Sequence, residues 1–189
     1  MIETVWPTHI LHTNIDDNYY CEELFQYLIS TYSDEWPNSF AQKDIFTDPE
    51  HKNPLFTRAN IFIKQNVSTM FGQTFGCFPK HFIKAFATNH QNIGIHQHQG
   101  SLLSGVFYVY CNSGEIRFHD PRVNAQRGYP NELQRYFSPK TYKPKTGDLL
   151  LFPSFLQHEV SNNLSKEPRV IMPFDVFGDQ EDFGQIEQK

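Results

Sequence analysis

The chain has 189 residues, 39% hydrophobic and 20% charged, which fits one globular domain and excludes a disordered or fibrous protein. A net charge of −5 argues against nucleic acid as the main partner, because phosphate binders carry a basic balance or patch. Cys21, Cys77 and Cys111 are odd in number and far apart, and no apolar run reaches membrane-spanning length, so a cytoplasmic protein with no membrane partner and no disulfide scaffold is expected.

The first element expected is a helix after Asp16-Asp17. Those aspartates can cap it, and Tyr20, Leu24 and Leu28 form its apolar ladder, with Cys21, Phe25 and Ile29 beside them. From Thr31 to Asn60 the chain is broken by Trp36-Pro37, Asp48-Pro49 and Asn53-Pro54, and reads as a long irregular connection. A second helix is expected over Ile61 to Phe71, with Ile63, Val67, Met70 and Phe71 on one side. Residues 1–75 therefore read as a helical and irregular N-terminal support.

After Gly72 the pattern changes. Short runs rich in Phe, Ile, Val and Tyr alternate with turn residues. Strands are expected near His81–Thr88, Ile93–His98, Leu102–Cys111, Gly114–His119, Asp148–Phe152, Leu156–Ser161 and Arg169–Val176. Asn112-Ser113-Gly114 reads as a tight hairpin turn. Many short strands without intervening helices make residues 76–177 a mainly β unit, an antiparallel sandwich or barrel. Pro121 to Thr141 is long and polar, and its Arg122, Arg127 and Tyr129 make it the candidate lid and substrate loop. Residues 178–189 read as an acidic tail.

Three short stretches carry possible chemistry. In a strand over Ile93 to His98, Ile93 and Ile95 would face one side while His96 and His98 face the other, where two imidazoles can converge on a metal. In Gly147 to Val160, a turn glycine opens a buried strand, Pro153 ends it, and a new strand presents His158 among apolar neighbours. Arg169 then stands in an apolar strand, where a guanidinium needs an anion, either an internal carboxylate or that of a ligand. Each stretch alone has an ordinary structural explanation.

In this order they resemble the iron(II)/2-oxoglutarate-dependent oxygenase superfamily. The likeness is to its prolyl-4-hydroxylase-like branch and is nearest to a group of small 2OG-Fe(II) oxygenases. The stretches that carry it are His96-Gln97-His98, Leu103 to Val109, Phe118 to Arg122, Gly147 to His158, and Arg169. The resemblance implies a double-stranded β-helix, the jelly-roll shape shared with cupins, with the N-terminal helices buttressing one sheet. It implies Fe(II) held by His96, His98 and His158, with 2-oxoglutarate as cosubstrate and O2 as oxidant. It gives Arg169 the far carboxylate of 2-oxoglutarate.

Two positions depart from the superfamily pattern. His98 stands where a carboxylate is usual, so Asp120 remains an alternative third ligand. Three neutral imidazoles leave the site at +2, which suits a dianionic cosubstrate. Ile171 stands where relatives commonly carry Ser or Thr, a hydroxyl that Tyr108 or Tyr110 would replace. The implied reaction hydroxylates a C–H bond of a peptide, a protein (prolyl included) or a small molecule, with 2-oxoglutarate converted to succinate. Two alternatives stand beside it: a three-histidine cupin-like dioxygenase without 2-oxoglutarate, and a non-catalytic β-sandwich binding module.

Overall fold

The computed structural model describes residues 7–32, 44–46, 52–89, 92–122 and 127–179. Its first element is a strand the sequence pattern does not show, β1 (Leu11–Asn14). Its four residues, Leu-His-Thr-Asn, include a single large apolar side chain, too little for an alternation to register. Asp17 then caps helix α1 (Asn18–Thr31) as expected, its carboxylate accepting from the Tyr20 amide at 3.0 Å. Tyr20, Cys21, Leu24, Phe25 and Leu28 form the buried face.

The second helix, α2 (Pro54–Phe75), is longer than the expected Ile61 to Phe71. Asn53-Pro54 is its beginning and not a break. The Asn53 side chain accepts from the Leu55 amide at 2.8 Å, and Pro54 sits in the first turn, where a missing N–H costs nothing. Gly76 closes the helix at φ 64. The Trp36-Pro37 and Asp48-Pro49 breaks lie outside the described residues. So does the expected acidic tail from residue 180 onward.

Two antiparallel sheets follow. The larger runs β1-β7-β4-β9-β2, with β2 (His81–Ala85), β4 (Leu103–Tyr110), β7 (Asp148–Pro153) and β9 (Val170–Gly178). The smaller runs β3-β8-β5-β6, with β3 (Ile93–His96), β5 (Ile116–Phe118), β6 (Lys140–Tyr142) and β8 (His158–Val160). This is the double-stranded β-helix that the resemblance implied. The outer face of the larger sheet, with Phe107, Met172, Phe174 and Val176, packs on α1 and α2. The space between the sheets is filled by Val106, Tyr108, Ile116, Phe118, Phe152 and Ile171. Two separate apolar layers thus hold one face each of the larger sheet, as the near-continuous apolar runs in β4 and β7 require.

Two expectations are corrected. Asn112-Ser113-Gly114 is not a hairpin, because β4 pairs with β7 and β9 while β5 pairs with β6 and β8. The turn carries the chain from one sheet to the other. The Pro121 to Thr141 stretch is not all loop: it holds α3 (Asn131–Gln134), a 3-10 turn (Arg135–Phe137) and the start of β6. Among the described residues, no helix is long and apolar enough to cross a membrane.

The closeness of β4 and β7 yields a test of this packing. A Cβ at Gly105 would collide with Phe174 Cζ and come within 2.8 Å of the Leu150 carbonyl oxygen. Gly105→Ala should lower stability by about 1–3 kcal/mol in urea unfolding, the cost of overpacking. An unchanged midpoint would mean that the two strands part without strain.

Candidate metal centre

The three histidines of the sequence motif come together between the sheets. His96 ends β3 and stands directly opposite His158, the first residue of β8. His98 follows two residues later, tied by its amide to the Ser154 carbonyl at 3.0 Å. Ring centroids lie 4.2 Å (His96–His158), 5.2 Å (His96–His98) and 5.3 Å (His98–His158) apart. One ligand nitrogen from each ring lies within 4.8 Å of the other two.

The local path differs from the simple alternation expected. Ile93 pairs with Val160 and His96 with His158, so three steps on β3 match two on β8. This bulge places Ile93 against the inner apolar cluster, whereas Ile95 is 58% exposed. The two isoleucines therefore do not share a face. The extra residue turns His96 inward.

Every ring has its Nδ1 engaged. His96 Nδ1 lies 2.8 Å from the Gly94 carbonyl and His158 Nδ1 2.9 Å from the Leu156 carbonyl. His98 Nδ1 lies 3.0 Å from Oδ1 of Asp175. An acceptor at Nδ1 fixes the proton there and leaves the lone pair on Nε2, the state a metal needs. Burial pushes His158 down from its ordinary 6.5 to about 4, helped by the nearby His96 and His98. It therefore stays a neutral imidazole at working pH. Burial alone would raise the Asp175 carboxyl, but hydrogen bonds from His98 and Ser104 outweigh it and hold the group below the usual range. Such a donor set of neutral imidazoles with fixed tautomers fits Fe(II).

Arg169 lies deeper between the sheets, 1% exposed. Its Nη1 donates to the Ser161 carbonyl at 3.0 Å. Ser161 is three residues past His158, about 10 Å of extended chain. A five-carbon diacid bridges that span once a metal bond and a hydrogen bond are added. The guanidinium also packs against Gly114, where a Cβ would collide with Nη1. Tyr108 faces the same interior and stands directly opposite Ile171 in the pairing of β4 with β9. A phenol thus lies beside the position where relatives commonly carry a hydroxyl. Burial pushes the Tyr108 phenol well above its ordinary range, so it remains a hydrogen-bond donor. Tyr110, the other candidate, points to the helix side: it stacks on Phe25 at 4.3 Å and donates to Glu167 at 2.9 Å.

Residues 84–175, just under half of the chain, match the family model described as "Putative 2OG-Fe(II) oxygenase". This segment is similar to the 2OG-Fe(II) oxygenase family. The fold has similar solved structures. A Pseudomonas putida prolyl-4-hydroxylase is 12% identical, covering 90% of this chain and 92% of that one, with a TM-score of 0.61. Iron-bound HygX from Streptomyces hygroscopicus is 12% identical, over 90% of this chain and 83% of that one, at 0.59. The α-ketoglutarate-dependent epimerase SnoN from nogalamycin biosynthesis is 12% identical, over 89% and 78%, at 0.58. These likenesses show the fold. No curated protein matches the sequence. The family match favours the 2-oxoglutarate-dependent reading over the cosubstrate-free dioxygenase and the non-catalytic module.

The structure does not bring Asp120 into the histidine cluster. Arg122 holds the Asp120 carboxylate in a forked ion pair, Nε donating to Oδ1 at 2.9 Å, and this bond lowers the carboxyl below its ordinary value. Arg122 also lies over the Phe137 ring at 5.4 Å, and Phe137 packs on Tyr129 at 4.8 Å. Two of the lid candidates are thus knitted to each other. Arg127 is exposed near the tip, and residues 123–126 lie outside the described set. Asp120 and Arg122 line a cleft of about 650 Å³ with Phe118 and Leu156; none of the three histidines lines it, and Phe118 packs on His158 at 5.8 Å. Asp175 and Ser104 escaped the sequence reading. Asp175 is on the same strand face as Arg169, and a carboxylate in the run Val-Ile-Met-Pro-Phe-Asp was the signal available.

The depressed His158 value gives a prediction for the metal-free protein. Between pH 6.5 and about 4 the unfolded chain binds a proton that the folded chain refuses. Stability should be fully present above pH 6.5 and fall as the pH drops towards 4, by up to about 3 kcal/mol. Urea unfolding across that interval measures it, and His158→Gln should flatten the slope. A slope indifferent to that substitution would show that another group titrates.

Proposed function

We propose that the protein hydroxylates a C–H bond of a small molecule or peptide, with Fe(II) held by His96, His98 and His158 and 2-oxoglutarate held by Arg169 and Tyr108. The reading rests on one observation above all: three imidazoles converge with every Nδ1 engaged, so that each presents Nε2 to a common point. When bound, Fe(II) with 2-oxoglutarate and O2 supplies oxidative decarboxylation to succinate and carbon dioxide, and the oxidising power for hydroxylation.

The chain's own residues do the rest. His96 and His158 are oriented by carbonyls two residues earlier in the chain, which fixes their rings before any metal arrives. His98 is oriented from the other sheet by Asp175. Ser104 Oγ donates to Asp175 at 2.6 Å and keeps that carboxylate in place. Arg169 offers a planar fork suited to a carboxylate, and Tyr108 a donor beside it. Burial pushes Arg169 down from its ordinary value, opposed by Cys111 and Tyr108. A guanidinium has ample margin to stay charged. Phe118, Phe152 and Leu156 surround His158 and exclude water from its far side.

The substrate is proposed only as far as its class. Neighbours of this fold include a prolyl-4-hydroxylase and an epimerase, so fold does not fix the reaction. Asp120 and Arg122 line the cleft behind Phe118, and the arm they form with Phe137 and Tyr129 is our candidate for the segment that meets the substrate.

Iron-dependent succinate release from 2-oxoglutarate is the primary test. No succinate above background, with broad substrate pools, would sink the reading. His158→Ala should lose iron altogether. Arg169→Ala should keep iron but weaken 2-oxoglutarate by about 1.5–3 kcal/mol, the range for a charged hydrogen bond. Gly114→Ala, which displaces the guanidinium without removing it, should do the same in smaller measure. Equal loss of iron in all three, measured by metal analysis, would point to a folding defect.

A further inference from the structure

The barrel face of β9 orders the site along one line. Arg169, Ile171, Pro173, Asp175 and Phe177 alternate onto that face, each step about 7 Å. Arg169 marks the cosubstrate end and Asp175, bound to His98, marks the level of the histidines. Phe177 lies one step beyond, where a substrate has to approach. The edge strand β2 runs beside it: Phe82 pairs with Phe177, and Lys84 pairs with Asp175.

These side chains form a built surface. The rings of Phe82 and Phe177 stack at 5.3 Å with 18° between their planes. The Lys84 ammonium lies 5.8 Å and 5.5 Å from their centroids. Phe82 is 45% exposed and Lys84 is exposed. None of the ion pairs among the described residues includes Lys84. Asp175, its partner in register, is instead engaged by His98 and Ser104.

We propose that Phe82, Phe177 and Lys84 are the substrate platform, and that the substrate is a small amphipathic anion: an apolar body on the stacked rings and a carboxylate or similar group on Lys84. The long lysine stem lets the ammonium lift from the rings to meet the anion. The apolar body then projects from Phe177 towards the histidines, which is where a C–H bond must be presented. The alternative role for Lys84 is to guard an exposed edge strand against pairing with other chains. Continuity with the histidine cluster, through Asp175 that stands opposite Lys84 and meets His98, favours the substrate role. The inference deepens the proposed function and rests on its metal centre for the direction of approach.

The experiment uses the full chain and 3-phenylpropionate as probe, with 3-phenylpropionamide as the neutral control, read by ligand-observed NMR. Metal-free protein is titrated first, so that the platform is judged apart from the metal. The carboxylate should bind at least tenfold tighter than the amide, a charged contact's share. Lys84→Met should erase that difference and Lys84→Arg should keep it. Phe82→Ala should weaken both probes. With Mn(II) and saturating 2-oxoglutarate, the probe should remain bound and its ring protons should broaden. Equal binding of the two probes, no binding of either, or indifference to Lys84→Met overturns the proposal. Displacement of the probe by 2-oxoglutarate also overturns it, because the anion would then lie at the Arg169 end. Failure to take up Mn(II) would instead refute the metal-centre reading and leave the metal-free result to decide the platform. Aggregation of Lys84→Met, together with equal probe binding by the unmodified chain, assigns Lys84 to edge protection.

Discussion

The site depends on where each imidazole puts its Nδ1 proton. Two of the three bonds are local: His96 and His158 each reach the carbonyl two residues back, so the adjoining backbone sets the ring. The third is not. His98 meets Asp175, 77 residues away on the other sheet. That contact can form only if the sheets close at the right separation, and closure in turn depends on the apolar layer of Val106, Ile116, Phe152 and Ile171. Packing of the barrel and the pose of the third ring are therefore one constraint. A neutral ring free to rotate would present the wrong nitrogen part of the time, and the binding free energy would be reduced by the cost of selecting the right one.

The same closure explains why a charged group can be buried at Arg169. A guanidinium 1% exposed is costly unless its donors are met. The Ser161 carbonyl takes one, and Gly114, held at φ 98, gives the head of the side chain room that any Cβ would remove. The turn that moves the chain from β4 to β5 therefore also makes space for Arg169. Connection and site use the same glycine. Tyr108 and Ile171 lie one layer nearer the histidines, face to face across the pair of strands. The phenol is large enough to stand in for a hydroxyl contributed from the neighbouring strand.

Much of this was readable in the chain, and the parts that were not share a physical cause. The α1 cap and ladder, the buried strand β7 and the three histidines all follow from patterns longer than a single turn or from motifs with order. β1 (Leu-His-Thr-Asn) and β6 (Lys-Thr-Tyr) are short and mostly polar, without the Phe, Ile and Val that mark the equally short β3, β5 and β8, and they exist through their partners. Asn53-Pro54 was misread because the same dipeptide ends one element and starts another, and only the helix that follows tells them apart. Ile93 and Ile95 were assigned to one face because alternation assumes an unbroken ladder, whereas the bulge at β3 adds a residue. Asp175 and Lys84 belong to no motif. Their roles come from register between distant strands, which one sequence does not display.

Asp175 changes how the all-histidine set is to be understood. Taken alone, three imidazoles leave a divalent cation with its full charge. The structure supplies a carboxylate at one remove: Asp175, kept ionised by hydrogen bonds from His98 and Ser104, with its oxygen 3.0 Å from the imidazole nitrogen. A carboxylate behind a ligating histidine raises the basicity of the ring and partly offsets the metal's charge. A negative charge therefore stands one hydrogen bond behind the His98 ring. Restoring an acid at position 98 would set it against Asp175 with like charge, at a site already low in water, and would free the ring-orienting contact at the same time. The histidine at 98 and the aspartate at 175 therefore act as a pair, joining the loop after β3 to β9 of the larger sheet.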